Sequence, residues 1–239
     1  MSVLYALADG VATITLNRPE SRNALNLEMC NGLIDATGKA AADESVKILL
    51  VKANGPVFCA GADLKERQGM SEAQVRERRM KGFGAYAALE ALPMPAIAVV
   101  EGPAVGSGCE IAGACDFIVA TPEASFRTPE AIRGTVGATQ RLPRILGKRL
   151  AKDMMFTGRT LSAEEAREAG LVSRLVASVD LEKTIEEIRQ EILNAPASSL
   201  RLAKRCIDRG VELDPKGALD TEIAAIEEQL ATGSWMGRK

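Results

Sequence analysis

The sequence contains no histidine among its 239 residues. This absence excludes a Ser-His-Asp or Cys-His nucleophilic site, and it excludes a zinc or haem site with histidine ligands. Acid–base chemistry near neutral pH must therefore use carboxylates, lysine, tyrosine or cysteine. The 32 aspartate and glutamate residues offer the widest choice.

The sequence also lacks an excess of charge of either sign. Its 30 lysine and arginine residues nearly balance the acids, which gives a formal net charge of −2. A nucleic-acid surface needs a basic stripe that replaces the counterions on phosphates, so we expect no nucleic-acid partner. Near neutrality does not exclude a small anionic ligand.

Long apolar runs are missing as well, because no run approaches the ~20 residues of a membrane span. The first residues show neither a secretory nor a transit pattern. The cysteines are odd in number and no pair has the Cys-x-x-Cys spacing of a metal or redox site. We therefore expect reduced thiols, no metal, no membrane partner and a cytoplasmic location. The five cysteines are Cys30, Cys59, Cys109, Cys115 and Cys206.

Three segments of the first half have the pattern of strands. Residues 11–16 alternate apolar and polar side chains and end at a polar Asn-Arg-Pro sequence. Residues 47–53 and 96–100 each contain a short unbroken apolar run between turn formers, which is typical of strands buried on both faces. Helical sequences at 27–42 and 71–91 separate them. This alternation predicts an α/β layer architecture.

After about residue 177 the pattern becomes purely helical. Asp180 can cap a helix, and three short amphipathic helices are predicted in the region that follows. We therefore divide the chain into a core at 1–177, which holds the active site, and a helical region at 178–239. Such a region buries little alone and must pack on the core or on a neighbouring subunit. Two of its apolar series are Leu181, Ile185, Ile188 and Ile192, and Leu219, Ile223, Ile226 and Leu230.

Two turns rich in glycine and alanine, at 58–64 and 101–110, follow two of the predicted buried strands. Small residues let a ligand approach the backbone, and a helix that begins there presents free N–H groups to an oxyanion. The glycine spacing does not fit a dinucleotide fingerprint, a phosphate loop or a nucleophile elbow. The turns could supply one donor each, or they could merely pack helices on strands.

Glu110 and Glu130 lie among small and apolar neighbours, unlike ordinary surface acids. If they converge, burial and like charge raise at least one carboxyl pKa, and the pair can divide acid and base roles. Either glutamate alone could be a solvated or helix-capping residue.

Six motifs together resemble the crotonase superfamily, and most closely its enoyl-CoA hydratases. The resemblance covers roughly residues 3 to 180. It implies ββα repeats wound into a spiral, followed by helices that build a homotrimer, commonly paired as a hexamer, in an enzyme of fatty acid β-oxidation. The motifs are Leu16-Asn17-Arg18-Pro19, Asn23-Ala24-Leu25-Asn26, the turn at 58–64, Gly106-Ser107-Gly108-Cys109-Glu110, Pro129-Glu130 and Thr139-Gln140-Arg141-Leu142-Pro143-Arg144.

The resemblance also implies roles for individual residues. The backbone N–H groups of Ala62 and Ser107 would bind the thioester carbonyl, and most relatives carry glycine at the second position. Glu110 and Glu130 would hold a water and add it across a 2-enoyl-CoA, with Glu130 delivering the proton to the α carbon. Both acids are present, twenty residues apart as in hydratases, which favours hydration.

For coenzyme A, which is part of the substrate and not a separate cofactor, the resemblance implies contacts with the segment 60–65. Arg22 and Lys65 are candidate phosphate partners, although both could be ordinary surface cations. Cys59 and Cys109 are expected to be small buried residues, because no histidine can activate them. The implied contacts are Arg22, Ala24, Ala60, Asp63, Leu64 and Lys65.

One segment departs from the hydratase pattern. The loop at 134–139 is shorter than in hydratases, where it borders the acyl pocket. The alternatives are therefore a double-bond isomerase or decarboxylase of the same superfamily, or a non-catalytic acyl-CoA-binding member. An RNA-binding member is disfavoured by the net charge and by the two retained acids.

Overall fold

The computed structural model describes residues 1–231, and within them nine strands form two sheets. The six-stranded sheet has the order β1-β2-β3-β4-β6-β9, and the three-stranded sheet has the order β5-β7-β8. The strands are β1 (Val3–Ala8), β2 (Val11–Leu16), β3 (Ile48–Ala53), β4 (Ala96–Val100), β5 (Pro103–Val105), β6 (Phe117–Ala120), β7 (Ser125–Arg127), β8 (Thr160–Ser162) and β9 (Arg174–Leu175).

The large sheet begins with an antiparallel hairpin and continues with parallel pairs only. Asp9 and Gly10 close the hairpin with positive φ angles of 50° and 78°, as a type I′ turn requires. The strands predicted at 11–16 and 96–100 are confirmed, and the third begins one residue later than predicted, at Ile48. Parallel strands covered on both faces explain the unbroken apolar runs.

Strands β4 to β7 alternate between the two sheets. Strand β4 belongs to the large sheet, β5 to the small one, β6 to the large one, and β7 to the small one. The chain therefore leaves the large sheet just after β4 and again after β6, and the residues that follow each exit lie near the small sheet. The predicted mixed α/β class is confirmed by this arrangement.

Eight helices accompany the sheets within residues 1–231. The capping box predicted at Ser71 and Gln74 opens α2, and the side chain of Asn26 caps α1 by accepting a hydrogen bond from the Met29 N–H. The bounds are α1 (Leu27–Ala42), α2 (Glu72–Glu90), α3 (Ser107–Gly113), α4 (Arg141–Thr157), α5 (Ala163–Glu168), α6 (Leu181–Asn194), α7 (Ala197–Gly210) and α8 (Pro215–Ala231).

The three C-terminal helices pack in two different ways. Helix α6 buries Leu181, Ile185 and Ile188 against one face of the large sheet. Asp180 does precede this helix, but its side chain makes no capping hydrogen bond, because its own backbone is already helical with φ −97° and ψ −5°. The predicted side-chain cap is therefore wrong.

Helices α7 and α8 pack on each other, and Ala225 is the buried apolar residue of α8. The apolar series predicted on this helix is exposed, with 44 to 55% of each side chain accessible, and it consists of Leu219, Ile223, Ile226 and Leu230. The division of the chain into a core at 1–177 and a helical region at 178–239 stays a prediction. Residues 232–239, the end of the predicted helical region, lie outside the described residues.

Within residues 1–231, no helix combines the length and the apolar character that crossing a bilayer would need. In the same part of the chain, no group of cysteine, aspartate and glutamate side chains is arranged to hold a metal ion. All five cysteines are free thiols.

Candidate functional site

The two glycine-rich turns lie side by side. Cys59 and Ala104 form a parallel bridge, in which the Val105 N–H donates to the Cys59 carbonyl at 2.8 Å. A second parallel bridge joins Ala62 to Leu25. Helix α3 begins at Ser107, in the second turn, as expected. No helix begins in the first turn, because residues 64–69 form turns and α2 starts only at Glu72.

Two glycines permit this close packing. Gly106 has a φ of 52°, and a Cβ atom there would lie 2.3 Å from Oε1 of Glu130. A Cβ atom at Gly108 would lie 2.5 Å from the Cys59 carbonyl oxygen. Any side chain at either position would push Glu130 or the neighbouring turn away.

The turns and α2 border a cavity of about 420 Å³, a size typical of small-molecule sites. Ala62 and Ser107 both line this cavity. Within residues 1–231, neither backbone N–H donates a hydrogen bond to another protein group. Ser107 does not have a positive φ, so serine is accommodated without strain, and its side chain lies near the Tyr86 hydroxyl, whose pKa it lowers.

Glu110 and Glu130 line the same cavity. Each has one buried carboxylate oxygen without a hydrogen-bond partner in the described chain, Oε1 of Glu110 and Oε2 of Glu130. Burial raises the pKa of both carboxyls, and the charge of Glu110 raises the pKa of Glu130 further. The two acids therefore meet in one desolvated cavity, and their catalytic roles stay a prediction.

Arg141 is a member of this site that the sequence did not reveal as such. Its Nη1 donates to Oε2 of Glu110 at 2.7 Å, and its Nη2 donates to Glu90 at 2.6 Å. Its guanidinium also lies over the ring of Tyr86, 5.8 Å from the ring centre. Glu110 is therefore not surrounded only by small and apolar groups, and Arg141 counteracts the effect of burial by lowering the carboxyl pKa. The signal was the Thr139–Arg144 motif, which contains this residue.

Four further arginines line the cavity, namely Arg67, Arg78, Arg79 and Arg133. Among these four, only Arg78 is paired with a carboxylate of the described residues, that of Glu66, at 2.7 Å. The sequence does not reveal them, because arginines on a helix such as α2, which carries Arg78 and Arg79, or in turns, which carry Arg67 and Arg133, ordinarily indicate solvated positions.

The residues implied in coenzyme A binding fall into two groups. Ala60 and Leu64 line the cavity, and Leu64 is 56% exposed. Asp63 is instead buried in an ion pair with Arg18, at 3.0 Å. The Ala24 carbonyl accepts a hydrogen bond from the same guanidinium.

The two candidate phosphate partners are exposed. Neither Arg22 nor Lys65 lines the cavity. Their contact with coenzyme A, like the other assigned contacts, stays a prediction.

Cys59 and Cys109 are fully buried. Burial raises the pKa of the Cys59 thiol to about 12, and burial also raises the pKa of the Cys109 thiol. Neither is therefore a thiolate near neutral pH, which agrees with their interpretation as small core residues.

Comparison with known proteins gives consistent matches. The sequence model of the family described as enoyl-CoA hydratase/isomerase matches residues 7–235. The short-chain-enoyl-CoA hydratase of Clostridium acetobutylicum is 36% identical over 226 residues, covering 93% of this chain and 87% of that protein.

A human protein and a solved structure extend the comparison. The human mitochondrial enoyl-CoA hydratase domain-containing protein 2 is 39% identical over 231 residues, covering 93% of this chain and 79% of that protein. The crystal structure of an enoyl-CoA hydratase from Bacillus anthracis superposes with a TM-score of 0.91 at 36% identity, covering 95% of this chain and 90% of that one.

Proposed function

The chain belongs to the enoyl-CoA hydratase/isomerase family, within the crotonase superfamily, and on that premise we propose that it hydrates 2-enoyl-CoA thioesters. The observation that supports hydration is the pairing of two cavity glutamates, each with an unbonded buried oxygen, with two unused backbone N–H groups. Both halves of the reaction have a group in this cavity to perform them.

In the proposed mechanism, the thioester carbonyl oxygen accepts hydrogen bonds from the N–H groups of Ala62 and Ser107. These bonds strengthen as negative charge develops on that oxygen, which stabilises the transition state. Glu110 and Glu130 hold the water, whose oxygen bonds to the β carbon. Its proton passes by way of Glu130 to the α carbon, so one water is added across the double bond.

Arg141 fits this mechanism because it opposes the protonation of Glu110. An ionised Glu110 accepts a hydrogen bond from the water and orients it, while Glu130 exchanges the proton. The division of roles follows from the environments of the two carboxyls, of which only Glu110 forms an ion pair within the described chain.

The experiment is incubation with crotonyl-CoA. Hydration predicts loss of the conjugated enoyl absorbance and a product heavier by one water. An isomerase or decarboxylase of the superfamily, which the short loop at 134–139 keeps as the second candidate, gives a product of unchanged mass or one that has lost carbon dioxide. Tight acyl-CoA binding without turnover of any acyl group would favour the non-catalytic alternative.

The other features of the resemblance belong to the same proposal. Coenzyme A would lie along residues 60–65 with its phosphates near Arg22 and Lys65. The exposed apolar residues of α8 and the helices around it would form the contacts of a trimer or of a hexamer of two trimers, built on a spiral core. Reduced thiols favour the cytoplasm as its location. The resemblance favours fatty acid oxidation as its pathway.

A further inference from the structure

The cavity carries an excess of positive charge. Its charged lining residues in the described chain are four arginines and two glutamates, with no lysine and no aspartate. A pocket built only for an alkyl chain gains nothing from guanidinium groups in its lining, because removing a charge from water, even in part, is costly unless a partner compensates.

Most of these cations lack such a partner within the protein. Arg78 is paired with Glu66 and hydrogen-bonded to the Leu25 carbonyl, so its role is structural. Arg67, Arg79 and Arg133 form no ion pair with any carboxylate of residues 1–231.

Arg67 is the most conspicuous of the three. Its Nε atom is buried and has no hydrogen-bond partner in the described chain. Burial, together with the charges of Arg78 and Arg79, lowers its pKa. An anion bound beside this side chain would compensate for the free-energy cost of withdrawing the guanidinium charge from water.

The unpaired arginines lie where an acyl group would extend. Arg79 donates to the Thr135 hydroxyl at 3.0 Å and to the Val136 carbonyl, which fixes it on the loop that follows Glu130. The charges of Arg133 and Arg79 also act on Glu130. If the thioester carbonyl lies at the glycine turns and its β carbon at the glutamates, α2 and this loop form the remaining wall.

We infer that the preferred acyl group ends in a carboxylate, so that the ligand is an ω-carboxyacyl-CoA bound through Arg67, Arg79 and Arg133. The apolar side chains of Phe83 and Val136, which also line the cavity, would contact its methylene groups. For the reaction, the inference rests on the proposed function and narrows its substrate to ω-carboxy-2-enoyl-CoA. As a statement about which acyl-CoA binds, the inference depends only on the residues that line the cavity.

The experiment is calorimetric titration with adipyl-CoA and hexanoyl-CoA. The two ligands share the nucleotide and the chain length and differ only in a terminal carboxylate or methyl group. We expect adipyl-CoA to bind at least about tenfold more tightly, as charge-assisted hydrogen bonds would give. Equal affinity, or tighter binding of hexanoyl-CoA, would overturn the inference.

Substitution identifies the residues responsible. Arg67→Gln should weaken adipyl-CoA binding about 10- to 100-fold and reduce its preference over hexanoyl-CoA by a similar factor. Arg76→Gln is the matched control, since Arg76 is exposed on α2 and does not line the cavity. Equal weakening of both ligands by Arg67→Gln would assign Arg67 to the coenzyme A moiety and contradict the inference.

A second variant protects the test against a folding defect. Arg133 is exposed, so Arg133→Gln is expected to fold normally and to reduce the same preference. If neither arginine variant changes the ratio of the two affinities, the inference is wrong.

Turnover separates this inference from the proposed function. The unsaturated counterparts are 2,3-dehydroadipyl-CoA and 2-hexenoyl-CoA, compared by kcat/KM. Hydration of 2-hexenoyl-CoA without any preference for the carboxylate would overturn the inference and leave the proposed function standing. A preference for adipyl-CoA in binding, with neither enoyl-CoA hydrated, would refute the proposed function and support the inference.

Discussion

Arg141 and Glu110 form an ion pair at the side of the cavity, with 2.7 Å between Nη1 and Oε2. Only 16% and 8% of the two side chains are accessible to solvent. The same guanidinium binds Glu90 at the surface and covers the Tyr86 ring, so it is held by three residues. This pair links α4 to α3, holds the Glu110 carboxylate in position and opposes the rise that burial causes in its pKa.

Replacing Arg141 tests that role. In Arg141→Gln the charge that lowers the Glu110 pKa is lost, while burial continues to raise it. We expect kcat/KM for crotonyl-CoA to fall at least about tenfold at neutral pH. The acidic limb of its pH profile should move to higher pH. Arg144→Gln, on the same helix but in an exposed pair with Glu212, is the control, and an unmoved acidic limb in Arg141→Gln would contradict the assignment.

The two glutamates should be individually necessary. Glu110→Gln and Glu130→Gln keep side-chain size and remove the ability to exchange a proton, so each should lower kcat roughly 100- to 10,000-fold. The measurement is the rate of loss of enoyl absorbance with crotonyl-CoA. Glu77→Gln, exposed on α2, should keep the full rate. Full activity in either glutamate variant of the cavity would refute the mechanism.

Gly106 is predicted to be required for activity as well as for folding. Alanine there is strained, because a φ of 52° with a ψ of −106° suits glycine alone, and its Cβ atom also displaces Glu130. Gly69→Ala is the matched control, since its φ is 82° and no atom lies within 4 Å of the new Cβ. Both variants should lose stability in urea, Gly106→Ala by more because of its clash with Glu130, and only Gly106→Ala should lose kcat. Similar kcat losses in the two would show that strain alone is responsible.

The backbone donor at Ser107 can be removed selectively. Proline is favoured at the first position of a helix, which Ser107 occupies in α3, and it carries no N–H group. Ser107→Pro should therefore reduce kcat about 100- to 1000-fold. Ser107→Gly keeps the N–H and removes only the hydroxyl beside Tyr86, so its kcat should change little. Circular dichroism and a thermal melt check that both variants fold. Comparable losses in both would implicate the hydroxyl instead.

The raised pKa of Glu130 predicts how stability depends on pH. A carboxyl with a higher pKa in the folded state contributes stability below its unfolded pKa and loses that contribution as pH rises through the folded pKa. The unfolding free energy of Glu130→Gln should thus increase relative to the parent from pH 4 to pH 8.

Asp43→Asn provides the opposite case for the same measurement. Hydrogen bonds from the Ser45 hydroxyl and backbone N–H hold the pKa of Asp43 below its usual range. This carboxylate contributes stability above its unfolded pKa, and the contribution disappears as pH falls through the folded pKa. Asp43→Asn should therefore lose stability relative to the parent as pH rises. A trend opposite to the expected one in either variant would contradict the assignment for that residue.

Much of this fold could be predicted because its elements are encoded locally. Apolar periodicity and capping residues such as Ser71 identify the main strands and helices, and the glycine turns with Glu110 and Glu130 identify the site.

The rest depends on which elements meet in space. Arg76, Arg78 and Arg79 lie close together on α2, yet their side chains have different surroundings. Arg76 is exposed, Arg78 is paired with Glu66, and Arg79 donates to Thr135 in the loop that follows Glu130. The pairing of Arg141 with Glu110 likewise requires α4 to pack on α3, which no local pattern specifies.

The parallel bridge between Cys59 and Ala104 has a consequence for how the enzyme is made. The turn at 58–64 follows β3, and α2 and β4 separate it in sequence from the turn at 101–110. No short fragment can therefore bring the N–H groups of Ala62 and Ser107 together. Loop closure over α2 must be completed before the bridge forms, and such long-range pairing is slow compared with helix formation. In a nascent chain the cavity with its two backbone donors is therefore complete only after long-range closure brings the two turns together, however much of the helical structure has already formed.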